Sequence, residues 1–255
     1  MRLLVIKPEP LARRLLKLAG TTYAAEAGIR IRDKPMPLFQ LLVLCMLASK
    51  PIGAATAARA ARELFCSGLR TPKAVLSAER QTMISAFGRA HYVRYDESSA
   101  TRLTAIAHRV RDEYSGDLRE LAQRTRPDVS AAKRMLKTFN GIGDTGADIF
   151  LRQVQDVWIW VRPYFDDRAT AAAKQLGLPT DPKKLASVAP SSNALLAAAV
   201  SASGVRRRAA PAGDRLTQVR DRLVGCQAAP HTTGRSSNYG QLNHVRHCWR
   251  GTCRG

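Results

Sequence analysis

Two glycines spaced two apart, Gly141 and Gly143, interrupt two stretches whose apolar residues recur at helical intervals. The string is Leu136-Lys-Thr-Phe-Asn-Gly-Ile-Gly-Asp-Thr-Gly-Ala-Asp-Ile-Phe-Leu151, and it sets the most demanding local geometry in the chain. Glycine takes backbone angles closed to other residues and, lacking Cβ, lets another group approach. The helix that follows begins with unpaired N–H groups and the positive end of its dipole, a ready seat for a phosphate. Ile142 is expected to anchor the turn inward, Phe139, Ile149 and Phe150 to pack the two helices together, and Ala147 to sit where helices cross. A grip through the N–H groups of Gly141, Gly143 and Thr145 would hold a nucleic-acid backbone and read no bases. A Gly-x-Gly turn between helices is also common without any ligand. Asp144 and Asp148 count mildly against the phosphate reading, although aspartate near a helix start is ordinary capping.

What such a hairpin could hold depends on charge. The chain has 41 Lys+Arg against 20 Asp+Glu, a formal net charge of +21. Ten arginines and two aspartates follow Val205, a net of +8, which leaves +13 on residues 1–204. The body is therefore basic without its C-terminal end, and self-repulsion on this scale calls for a polyanion or for counterions. A genome rich in Arg and Ala codons is the bland alternative. Hydrophobic residues make up 45% of the chain but aromatics only 6%, so the core is Ala, Leu and Val, which suits close-packed helices. The predicted fold class is all-α.

Helical spacing predicts helices over Leu11–Ala27, Pro37–Ala48 and Ala54–Phe65, then a short one after Thr71-Pro72. Ser77 is read as the cap of Ala78–Phe87 and Ser98 as the cap of a helix through Arg111. Asp117 opens a helix to Arg124, Asp128 caps Val129–Lys137, and the turn leads into Asp144–Gln155. Asp166 opens a helix to Gln175 that stops at Gly177; small helices follow near Pro182–Val188 and from Pro190-Ser-Ser to Ala202. Beyond Gly204 an Arg triplet gives way to aperiodic Gly, Ser, Thr, His and Asn, which is expected to be a disordered tail and also fits a frameshifted reading frame. The organisation expected is an N-terminal segment at 1–36, a lobe at 37–160 with the hairpin at 136–151, C-terminal helices at 161–204 that pack with the N-terminal segment, and a basic tail at 205–255.

Cys45 and Cys66 lie in apolar helical patterns and are expected to be buried thiols, which fits a reducing, cytoplasmic compartment. No run approaches the ~20 apolar residues of a membrane span, and the opening MRLLVIKPEPLARRLL lacks a signal-peptide cleavage site. His244, His247, Cys248 and Cys253 fit no closed zinc site well, and no metal is expected.

From Pro37 to Pro179 the chain resembles the helix-hairpin-helix, Gly-Pro-Asp superfamily of DNA glycosylases, of which endonuclease III is the familiar member. The resemblance rests on the helix ending Leu-Ala-Ser-Lys50, the hairpin Phe139 to Leu151, and Pro163-Tyr-Phe-Asp-Asp-Arg-Ala-Thr-Ala-Ala-Ala-Lys-Gln-Leu-Gly-Leu-Pro179, in the family's order and spacing. It implies a two-lobed helical fold, double-stranded DNA as partner, and a catalytic carboxylate ten residues before Leu176, which is Asp166, with Asp167 as a fallback. Such a carboxylate stabilises the oxocarbenium character that develops on deoxyribose as the base leaves. From the residues alone, without the hairpin at its distance, Asp166 reads first as a helix cap.

The family's strand-wedging position falls on Lys50, which either contacts DNA or is simply exposed. Lys137, with Lys133 before it, either faces phosphate or is solvated. Tyr92 and Tyr95, near His91 and Arg94, either stack on a base or pack internally, while Trp158 and Trp160 read as core. Two features depart from the family. The Schiff-base lysine of bifunctional members is replaced by Thr145, and the four closely spaced cysteines that hold an iron–sulfur cluster do not follow Pro179, since Cys226, Cys248 and Cys253 are too far apart. The expectation is a monomeric, monofunctional glycosylase without AP lyase activity or cofactor. Its alternative is a DNA-binding protein that kept the clamp and lost the chemistry.

Overall fold

The structure, a computed structural model, describes residues 8–189 and 192–208, with side chains up to Ser201. The chain divides into two compact units, 1–206 and 207–255. The expected disordered tail and its cysteines lie outside the described residues. Every regular element among the described residues is helical.

The centre of the first unit is α3, Pro35–Ala48, preceded by α1, Pro8–Ala19, and α2, Tyr23–Glu26. From Pro37 to Leu47 every residue of α3 is buried, because a helix apolar on all sides is stable only when surrounded. Three partners supply that cover: α4, Ala54–Cys66; α7, Asp96–Tyr114; and α10, Asp144–Val154. The Ala-rich face of α4, with Ala57, Ala58, Ala60 and Ala61 buried, allows close approach to α3. Between α4 and α7 run α5, Pro72–Ser77, and α6, Arg80–Arg89, packed on α7 and α4 respectively. The helices α8, Arg119–Thr125, and α9, Val129–Lys137, bring the chain back to α10. After a 3₁₀ turn at Ile159–Val161 come α11, Asp167–Leu176; α12, Pro182–Ser187; and α13, Asn193–Arg208.

Several helix starts follow from capping chemistry. Thr71, Asp128, Asp166 and Asp181 each accept a hydrogen bond from the N–H three residues on, and Gly177 closes α11 at φ +75°. Other expectations need correction. The helix predicted over Leu11–Ala27 is two, because Gly20 and Thr21 break it and Thr22 caps α2 by accepting from Ala25 N–H. Ser77 ends α5 and does not open the next helix, which starts at Arg80. Ser98 lies inside α7, whose start is Asp96, directly after a 3₁₀ turn at Val93–Tyr95. Cys45 is fully buried and its thiol is pushed far up by burial, but Cys66, expected to be a second buried thiol, is exposed at the end of α4 and disulfide-bonded.

Trp158 is core, 3% exposed, with its indole N–H donating to Asp33, and Trp160 stacks on it with ring centroids 5.9 Å apart. No described helix is long and apolar enough to cross a membrane.

Candidate functional site

The hairpin joins α9 to α10 in a turn closed by Ile142 N–H donating to Phe139 C=O, 3.0 Å. Phe139 and Ile142 are buried, and Phe139 stacks on Tyr114 of α7. The two glycines have separate reasons. Gly141 sits at φ +88°, the left-handed region, and a Cβ there would come within 2.8 Å of Arg102 Cδ and 3.2 Å of Met46 Cγ. Gly143 needs no unusual backbone, with φ −98°, and a Cβ on it would meet nothing within 4 Å. It caps α10 without a side chain, so the N–H groups of Gly143 and Thr145 have no acceptor among the described residues. A third glycine, Gly146, is where α10 presses on α3: a Cβ would stand 2.4 Å from Ser49 Oγ and 3.3 Å from the Cys45 carbonyl oxygen. Ala147, expected at that crossing, is fully buried beside it.

An open depression of about 640 Å³ lies over this turn, lined by Ser49 and by the hairpin from Lys137 to Thr145. Unused N–H donors and the positive end of α10 face a space with no side chain at Gly143, an arrangement able to receive an anionic oxygen.

The lysines of α9 are not free to do so unaided. Lys137 Nζ donates to Asp144 Oδ1 at 2.8 Å, and that hydrogen bond holds the Asp144 carboxyl below its usual range. Lys133 Nζ lies 2.5 Å from Asp148 and 3.9 Å from Asp144. Burial would lower the Lys133 pKa, but Asp148, Asp144 and Asp167 outweigh it and the net shift is upward. Tyr164 donates its hydroxyl to Asp148 at 2.5 Å, and burial followed by that carboxylate drives its phenol far up.

Lys50 follows Ser49 at the end of α3 with its ammonium 5.3 Å from the centre of the Tyr95 ring, while Arg94 lies 5.4 Å from the same ring. Burial, then the charge of Arg102, lowers the Lys50 pKa. Tyr92 packs internally: it is fully buried and donates to the Leu47 carbonyl.

Asp166 is fixed from α10. Gln155 clamps the backbone of Tyr164, donating to its carbonyl and accepting from its N–H, both at 3.0 Å, and so sets the loop that ends in Asp166. One Asp166 oxygen accepts from Ala169 N–H at 2.8 Å as the cap of α11; the other takes Arg152 Nη1 at 2.8 Å. Both side chains of that pair are only 8% exposed, and Arg152 also donates to Ser201. Arg152 Nε has no partner, and among the described residues the guanidinium bonds to Asp166 and Ser201. Asp167, by contrast, is exposed. Eight residues of α10 separate Asp144 from Arg152, about 12 Å along the helix, so one element carries the hairpin and the anchor of Asp166.

The sequence reading missed Arg152, Arg102 and Gly146. A signal existed for the first, a lone arginine within the apolar run Ile149–Val154, but its partner lies fourteen residues away. Among the described residues no three His, Cys, Asp or Glu side chains come together to hold a metal. Compared with protein-family models, curated proteins and solved structures, the chain matches none.

Proposed function

We propose that this chain is a double-stranded DNA-binding protein with the two-lobed architecture of the helix-hairpin-helix glycosylases, and that it hydrolyses the N-glycosidic bond of a damaged or mismatched base. The observation that carries the reading is the uncapped start of α10 beside a side-chain-free Gly143, since a backbone phosphate supplies the acceptor that α10 lacks. The duplex would be held at the hairpin while the target nucleotide turns out of the stack toward the loop that ends in Asp166. There the carboxylate would stabilise charge on the sugar as the base leaves. Thr145 has no amine, so strand cleavage through a Schiff base at that position forms no part of the proposal. The protein would act as a monomer on cytoplasmic DNA.

A second reading, DNA binding without catalysis, is favoured by the Arg152–Asp166 pair, because a carboxylate with both oxygens engaged and 8% exposure must exchange a partner before it can act on a sugar. Base release from a panel of lesion-bearing duplexes separates the two. The catalytic reading expects release of at least one base by the wild type and its loss in Asp166→Asn, with Asp167→Asn retaining it. Asparagine keeps the cap but leaves Arg152 unpaired, so the assay is run well below the variant's melting temperature. Release that persists in Asp166→Asn would refute the assignment of this carboxylate. Duplex binding with no release by the wild type would establish the second reading.

A further inference from the structure

Arg102 is unaccounted for by the hairpin alone. Its stem lies against the bare Cα of Gly141, since a Cβ there would be 2.8 Å from Cδ and 3.5 Å from Nε. Glycine at 141 therefore serves two ends, a positive φ and a seat for this side chain. Lys50 follows Ser49, which lines the same depression as Gly141, and its pKa is lowered by burial and then by the charge of Arg102. Neither cation has a carboxylate within ion-pair distance among the described residues. The acids that open α7 are occupied: Glu97 binds Arg80, and Asp96 accepts from the N–H of Glu97. A lysine that follows α3 and an arginine of α7 thus flank the depression over the hairpin without a counter-ion among the described residues, with Tyr95 beneath Lys50 and Arg94 on the same ring. Such an arrangement is unfavourable by itself and becomes favourable when an anion enters.

We propose that Lys50 and Arg102 form a second phosphate-binding site, separate from the N–H groups of the hairpin, that takes another backbone phosphate of the same duplex. The proposal rests on the reading of the hairpin as a duplex clamp. The bidentate guanidinium suits a phosphodiester, and the ammonium neutralises the remaining charge.

The test is the salt dependence of binding of the full chain to a short labelled duplex. Each phosphate neutralised contributes about 0.9 to the slope of log K against log salt. Arg102→Met, which keeps the stem and removes the charge, is expected to reduce the slope by about one unit on every duplex sequence, with Arg102→Lys restoring most of it. Lys50→Met is the parallel variant and decides the matter should Arg102→Met fold poorly, while Arg134→Met, exposed on α9 and paired with Asp128, is expected to leave the slope unchanged. A wild-type slope in both charge-removing variants, with wild-type duplex binding intact, would overturn the second site and spare the clamp. No duplex binding by the wild type would overturn both. Inorganic phosphate at matched ionic strength is the third arm: if it displaces the Arg102-dependent part of binding where chloride does not, the pair is a free-phosphate site and the assignment to DNA is wrong.

Discussion

Gly141 and Gly143 look interchangeable in the sequence and are not. The first is bound to glycine by a φ of +88° and by Arg102 and Met46 packed against it; the second has ordinary backbone and open space before it. Gly141→Ala is expected to cost about 1–2 kcal/mol, the usual cost of a left-handed residue with a side chain. Gly143→Ser is expected to leave stability unchanged or raise it by a few tenths of a kcal/mol, because serine is a good helix cap. Urea unfolding of the two variants checks the contrast, and equal losses would contradict it. That both glycines belong to one turn was legible in their spacing. Which one answers to the backbone and which to the space outside was not, since that depends on Arg102 and Met46, distant in sequence.

The helix α10 organises everything the site uses. Its start is the hairpin, Gly146 sets its contact with α3, Gln153 accepts from the N–H of Ala24 in α2, and Gln155 and Arg152 hold the loop and carboxylate that follow. Removing one member of a buried ion pair leaves the other unpaired, so Arg152→Met is expected to destabilise the protein by about 3–5 kcal/mol. The double variant Arg152→Met/Asp166→Leu is expected to lose less than the sum of its singles, and strict additivity in chemical denaturation would show that the pair is not coupled. At this scale the sequence was most readable where a helix is opened or closed by its own neighbours, as at Asp128, Thr71 and Gly177. It was least readable where partners decide. Lys133 and Lys137 pattern as free surface lysines, yet each ends on an aspartate of α10. Ser77 and Ser98 have the chemistry of caps, but one closes a helix and the other lies within a longer one.

Across the molecule, a net charge of +13 on residues 1–204 is spread over surfaces where many arginines and lysines already have acidic partners. The hairpin region differs: among the described residues Lys50 and Arg102 have no acidic partner and the N–H groups of Gly143 and Thr145 no acceptor. The helical class was legible because an Ala- and Leu-rich, aromatic-poor chain fits close-packed helices, and α3 shows its consequence in a run of eleven buried residues. The central claim is that this hairpin grips a duplex by its backbone, and it is tested most directly by comparing duplex binding of the wild type and Gly143→Thr. Threonine fits the open space, caps α10 in place of a phosphate, and fills the approach to the N–H groups. The account predicts unchanged or slightly higher melting temperature and weaker binding by about the same factor on every duplex sequence. Undiminished binding, or a loss confined to some sequences, would contradict it.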